Sequence, residues 1–104
     1  MEYTLIMTQG NNKSFTVRND DGDFSEGDKI TFSVKEDILS DRYLLKKEVT
    51  DFDGDLAVID IMPEDTSGIK SGTYVYDVQF NAVGGAVKTI FKGDFILDWR
   101  VNDG

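Results

Sequence analysis

Along most of this chain the apolar residues return at every second position, the spacing of a strand with one buried face, and rarely at the three-and-four spacing of a helix. In KITFSVKE, Ile30, Phe32 and Val34 fall on one side, while Lys29, Thr31, Ser33 and Lys35 fall on the other. This is the cleanest half-buried strand. Tyr3, Leu5 and Met7 alternate with Thr4, Ile6 and Thr8; Gly10-Asn11-Asn12 follows as a turn, and Phe15 and Val17 then share a face. Residues 3–18 therefore predict an N-terminal hairpin. Tyr43 to Thr50 reads as a strand with a basic outer edge at Lys46 and Lys47. LAVIDI, residues 56–61, is too short for a useful helix, and its branched residues favour a buried strand in which Asp60 has no clear side. Tyr74, Tyr76, Val78 and Phe80 alternate with Thr73, Val75, Asp77 and Gln79, Gly84-Gly85 reverses the chain, and Ala86 to Phe91 returns beside it. Beyond Lys92-Gly93-Asp94, Phe95, Leu97, Trp99 and Val101 share a face. The glycine there predicts a bulge or kink in one long strand, or a break between two short ones. Residues 37–42 fit either a helical turn or a plain crossing.

Seven or eight strands at roughly ten-residue spacing predict an all-β fold, a sandwich or small barrel. No linker or repeat divides the 104 residues, so 1–104 reads as a single domain, long enough to bury a core without staples. The densest segment is PEDTSGIKSGTYVYDVQF, residues 63–80. Pro63 has the preset φ of a first helical residue, and Glu64 and Asp65 suit the positive end of that turn. Gly68 and Gly72 are suited to the positive φ values that end a helix and re-enter a strand. A short helical crossover near 63–69 is expected. The Gly-Thr-Tyr-Val-Tyr run then resembles the start of strand F in immunoglobulin-like sandwiches, where a tyrosine hydrogen-bonds back to the corner. That resemblance implies an immunoglobulin-like antiparallel β-sandwich with Tyr74 at the corner and Tyr76 in the place of the absent cysteine. The structural corner is then Pro63, Gly68, Gly72, Tyr74 and Tyr76, with both tyrosines facing the core and Asp77 facing solvent.

Residue supply narrows the chemistry. The chain has neither cysteine nor histidine. Disulfides and thiolate catalysis are excluded, and so are the commonest general base, zinc ligand and pH switch. Serine and threonine are plentiful, but no histidine can activate them. The net charge of −9 makes contact with nucleic-acid phosphates or an anionic membrane unfavourable, and leaves a basic protein as a possible partner. No basic start followed by an apolar run suggests a signal peptide, and no apolar stretch approaches a membrane span.

Two acidic loops deserve testing against metal chemistry: NDDGDFSEGD, residues 19–28, and DFDGD, residues 51–55. A calcium loop of the EF-hand type needs glycine at its sixth position and a glutamate at its twelfth. Counted from Asp51, glycine comes fourth and Met62 twelfth; counted from Asp20, the twelfth residue is Thr31. Asp-Gly is itself a strong turn signal, so turns are the simpler reading. The loop acids Asp20, Asp21, Asp23, Glu26, Asp51, Asp53 and Asp55 remain candidates for contact with a basic partner. A glycosidase pair needs two carboxylates in a cleft, one with a raised pKa, and Asp60 and Asp77, each flanked by strand residues, are the acids that read as having an apolar setting. Gly84-Gly85 lacks the lysine and helix of a phosphate loop. Neither a catalytic residue, a metal nor a cofactor is expected.

Most of the chain is also similar in layout to small β-sandwich proteins of phages and prophages of Gram-positive bacteria. The N-terminal domain of baseplate upper proteins and related tail-associated modules share the order of an N-terminal hairpin, "GDKITFSV", "AVIDI", the run "DTSGIKSGTYVYD", a glycine hairpin and "KTIFKGDFIL". The resemblance implies a non-enzymatic module of a baseplate, tail or capsid that contacts other phage structural proteins and forms homo-oligomers. It would be found in the virion, or in the host cytoplasm during infection. A second expectation comes from the acidic, histidine-free composition: an inhibitor that mimics nucleic acid in the basic groove of a host defence nuclease.

Overall fold

The computed structural model describes residues 3–98, which form a mostly β fold of two sheets. In chain order the elements are β1 (Leu5–Thr8), β2 (Lys13–Arg18), β3 (Lys29–Lys35), β4 (Tyr43–Val49), β5 (Leu56–Ile61), α1 (Pro63–Thr66), β6 (Gly72–Asn81) and β7 (Val87–Asp98). One sheet has the order β1-β7-β6-β3-β4, and the other pairs β2 with β5. Ile30, Phe32 and Val34 of β3 are fully buried against Val17, Ile59 and Ile61 of the smaller sheet and against Val78, Phe95 and Leu97 of the larger one. Phe32 sits among aromatic neighbours, edge-on to Phe15 at 5.5 Å and tilted against Tyr76 at 5.8 Å. Trp99 and Val101 lie outside the described residues.

The alternation gives the strands correctly but not all their partners. The expected hairpin of residues 3–18 does not form. β1 runs parallel to β7, with Leu5 opposite Phe95 and Met7 opposite Leu97, while β2 runs antiparallel to β5 in the other sheet. The larger sheet is therefore mixed, not antiparallel throughout. Both arrangements bury Met7 and Val17, and only the tertiary arrangement distinguishes them. Asp53-Gly54 does make a tight turn, closed by reciprocal bonds between Asp53 and Leu56, but it leads from one sheet into the other. Gly84-Gly85 does reverse β6 into β7, with Gly85 at φ 99°.

β7 is one continuous strand, and its irregularity is not at Gly93. Val78 pairs with Phe91 and Gln79 with Thr89, so the extra residue is Ile90. Gly93 answers to a close approach instead. A Cβ there would lie 2.1 Å from the carbonyl oxygen of Tyr3, whose backbone N–H donates to the Lys92 carbonyl at 3.1 Å. β5 alternates after all: Ala57, Ile59 and Ile61 are buried, and Asp60 points outward to accept a hydrogen bond from the Ser14 hydroxyl.

Candidate functional site

Two features were candidates from the sequence, the corner at 63–76 and the acidic loops; the polar face that carries Asp77 is added by the structure. The corner is structural. Pro63 opens α1; the Asp65 carboxylate accepts the Met62 N–H at 2.8 Å and the Lys47 ammonium at 2.9 Å. Burial alone would raise the Asp65 pKa, but these two bonds together hold it below the ordinary carboxylate value. Thr66 is fully buried, and Gln9 reaches across from the β1–β2 connection to donate to the Ile69 carbonyl at 2.7 Å. The helix ends at Ser67 in a right-handed conformation, and Gly68 has no positive φ, so no left-handed glycine terminates it as the sequence suggested. Gly72 does have a positive φ, 157°, close to extended.

Tyr74 donates its hydroxyl to the Lys70 carbonyl at 2.5 Å, and its ring packs against the core. Tyr76 is buried, and its hydroxyl donates to the Tyr3 carbonyl at 2.7 Å. Burial, and to a lesser degree neighbouring Tyr3, raises its pKa. Both tyrosine hydroxyls thus tie backbone.

The acidic loops converge at one end of the molecule, which their separation in sequence does not reveal. Phe24 stacks on Phe52 at 4.1 Å, and the N–H groups of Phe24 and Asn19 donate to the carbonyls of Gly54 and Asp55. Asp20, Asp21, Asp23 and Glu26 are thereby set beside Asp51, Asp53 and Asp55. Arg18 approaches Asp55 at 3.6 Å, a solvent-exposed pair. Among the described residues, no three acidic side chains are grouped closely enough to hold a metal ion. One acid of this end escaped the sequence reading. Asp28 is buried, and its two carboxylate oxygens accept the N–H groups of Ser25 at 2.7 Å and Val83 at 2.9 Å. Its sequence signal was available: an Asp immediately before a strand, three residues after a serine, is suited to accept a backbone N–H.

The polar face of the larger sheet differs most from expectation. Thr31 and Ser33 are buried, so β3 is covered on both sides, and Asp77 is half-buried instead of open to solvent. Ser33 lies directly opposite Asp77, and Asp77 opposite Lys92; Lys35 lies opposite Val75, and Val75 opposite Asp94. These side chains floor a concavity of about 630 Å³ whose rim includes Tyr3, Thr4 and Ile38. Desolvation raises the Asp77 pKa, against smaller opposing effects from the Lys35 charge and a hydrogen bond from Gln79. The concavity is lined by hydroxyl, ammonium and carboxylate groups together.

Beside the concavity, the connection of β3 to β4 is a hydrogen-bonded turn. The Ser40 N–H donates to the Asp37 carbonyl at 3.1 Å, and the Leu39 N–H to the Asp37 side chain at 2.9 Å. This turn holds Ile38 and Leu39 outward, 79% and 89% exposed. No helix among the described residues is long and apolar enough to cross a membrane. No protein-family model and no curated protein sequence matches the chain.

Proposed function

We propose that this chain is a non-enzymatic binding module that works through protein–protein contacts, a virion-associated structural protein of a phage baseplate, tail or capsid. The observation that carries the binding role is the Ile38-Leu39 tip, held almost wholly in solvent beside a polar concavity. Two large apolar side chains at the centre of a fixed turn gain nothing from folding. They gain on burial in a complex, without the ordering cost of a flexible loop. The phage assignment rests on the sequence resemblance and on the absence of histidine and cysteine, which leaves few routes to catalysis. Co-purification of the tagged protein from phage-infected cells tests it. Tail, baseplate or capsid proteins should be retained by the wild type and lost with Leu39→Asp. Retention of none of them would refute the virion role.

A second reading is favoured by the convergence of the two acidic loops: inhibition of a nuclease by occupation of its nucleic-acid groove. Salt-sensitive capture of a basic host nuclease, lost when Asp51, Asp53 and Asp55 are changed to Asn, would support this reading over the first. Capture that persists after those changes, or no such capture, would retire it.

A further inference from the structure

We propose that the outer face of the five-stranded sheet is a two-fold interface with a second copy of this chain, in which the Ile38-Leu39 tip of each copy enters the Ser33–Asp77 concavity of the other. The inference rests on the reading of the chain as a binding module and names one partner and the surface it uses.

Three observations point to a second copy. First, knob and hole are neighbours on one surface: Ile38 forms part of the rim of the concavity, and Leu39 projects next to it. An isologous interface requires a patch that contains both halves of each contact, and a knob beside its own hole provides this. Second, the concavity is charge-balanced. Lys35 and Lys92 share its lining with Asp77 and Asp94, whereas the whole chain carries −9. Two copies placed face to face here bring together surfaces that carry both signs of charge in equal number. Contact through the acidic loop end would set like charges together. Third, the tip is fixed in advance. The Asp37 backbone and side chain close the turn at its start, and the Arg42 N–H donates to the Ser40 hydroxyl at 3.2 Å at its end. On the β4 side, the ammonium groups of Lys35 and Lys46 lie over the Tyr43 ring, 4.9 Å and 5.2 Å from its centre.

Insertion of Leu39 next to Val75 would bury an otherwise solvated leucine. It would also exclude water from Asp77, whose half-buried carboxylate has the Lys35 charge and the Gln79 hydrogen bond of its own copy to oppose further desolvation.

Sedimentation equilibrium of the full chain over a wide concentration range tests this. A dimer is expected. Leu39→Asp should weaken it roughly tenfold or more, the scale of one lost buried leucine. Asp77→Lys should weaken it and change its salt dependence. Leu39 is exposed and Asp77 half-buried, and unchanged melting curves would show that the variants fold. Because the chain contains no cysteine, Leu39→Cys provides a single attachment point for a photo-cross-linker. With mixed isotope-labelled copies, cross-links between copies should fall on Ser33, Val75, Asp77 or Asp94. A strictly monomeric protein, a dimer indifferent to Leu39→Asp, or cross-links confined to the acidic loops would overturn the interface. Loss of Leu39-dependent capture of phage proteins, with the dimer intact, would instead remove the virion role and leave the interface standing. Leu39-dependent capture by a protein that stays monomeric would do the reverse.

Discussion

At the end of the molecule formed by the 9–12 and 62–71 connections, the carboxylate of Asp65 is committed to the Met62 N–H and the Lys47 ammonium, and Tyr74 is tied to Lys70. At the other end, loops 19–28 and 50–55 carry eight acids, of which the structure buries one, Asp28. The remainder face solvent at the loop surface, partly or fully exposed. Acidity in sequence is therefore a poor guide to what an acid does. A carboxylate contributes to the fold where backbone N–H groups point at it, and contributes little where it only adds to a crowd of like charges.

Removal of the single buried acid should break this contrast most forcefully. Asp28→Ala strands the N–H groups of Ser25 and Val83 and uncouples loop 19–28 from the β6–β7 turn. A loss of about 2–4 kcal/mol is expected in urea unfolding, the scale of two bonds to a charged acceptor left unmade. An unchanged midpoint would show that the acidic end is held by its phenylalanines alone. Asp65→Ala comes next, at about 1–2 kcal/mol, because it removes one helix-start bond and one half-buried ion pair.

The pH dependence of Asp65 has a definite sign. Its folded pKa lies below the ordinary value of 3.8, so its contribution is complete above that value and is lost as the pH falls through the folded pKa. The gap in stability between wild type and Asp65→Asn should therefore narrow in acid below pH 3.8. A gap that widens there would reverse the assignment.

Tyr74→Phe keeps the ring and deletes only the hydroxyl bond to Lys70, with an expected loss of about 1 kcal/mol in the same measurement. The smallest effect should come from the largest change in charge. Joint replacement of Asp20, Asp21, Asp51 and Asp53 by Asn should move stability by no more than about 0.5 kcal/mol, toward greater stability through relief of repulsion. A large loss would mean that these acids hold the loops in a way that their exposed positions do not indicate.

Much of the fold was legible because it is local. A period of two marks β3, and the burial of Ile30, Phe32 and Val34 follows from it. Pro63 and the acids after it mark the helical turn, and Gly84-Gly85 marks the hairpin. The N-terminal hairpin failed because alternation specifies which side of a strand is apolar, and not which strand lies beside it. The partner of Leu5 is Phe95, near the other end of the chain, and no turn signal records such a pairing. Gly93 was noticed as irregular, but its reason, the passage of the Tyr3 backbone, is likewise non-local.

The candidate surfaces divide in the same way. Composition identified the acidic loops; tertiary structure brought them together through the Phe24–Phe52 stack. The sequence placed Asp77 on the polar face, and the fold then half-buried it, because β6 lies between β3 and β7 and the side chains of both neighbours crowd that face. By itself, then, the sequence determined an all-β chain, its core-facing residues and its lack of the usual catalytic groups. Only the tertiary structure decided which strands pair, which single acid of the acidic end is buried, and that an exposed apolar tip stands beside a charge-balanced hollow. The reason is physical: side-chain alternation and turn preferences act over a few residues, whereas desolvation and strand pairing depend on neighbours that the chain brings in from far away.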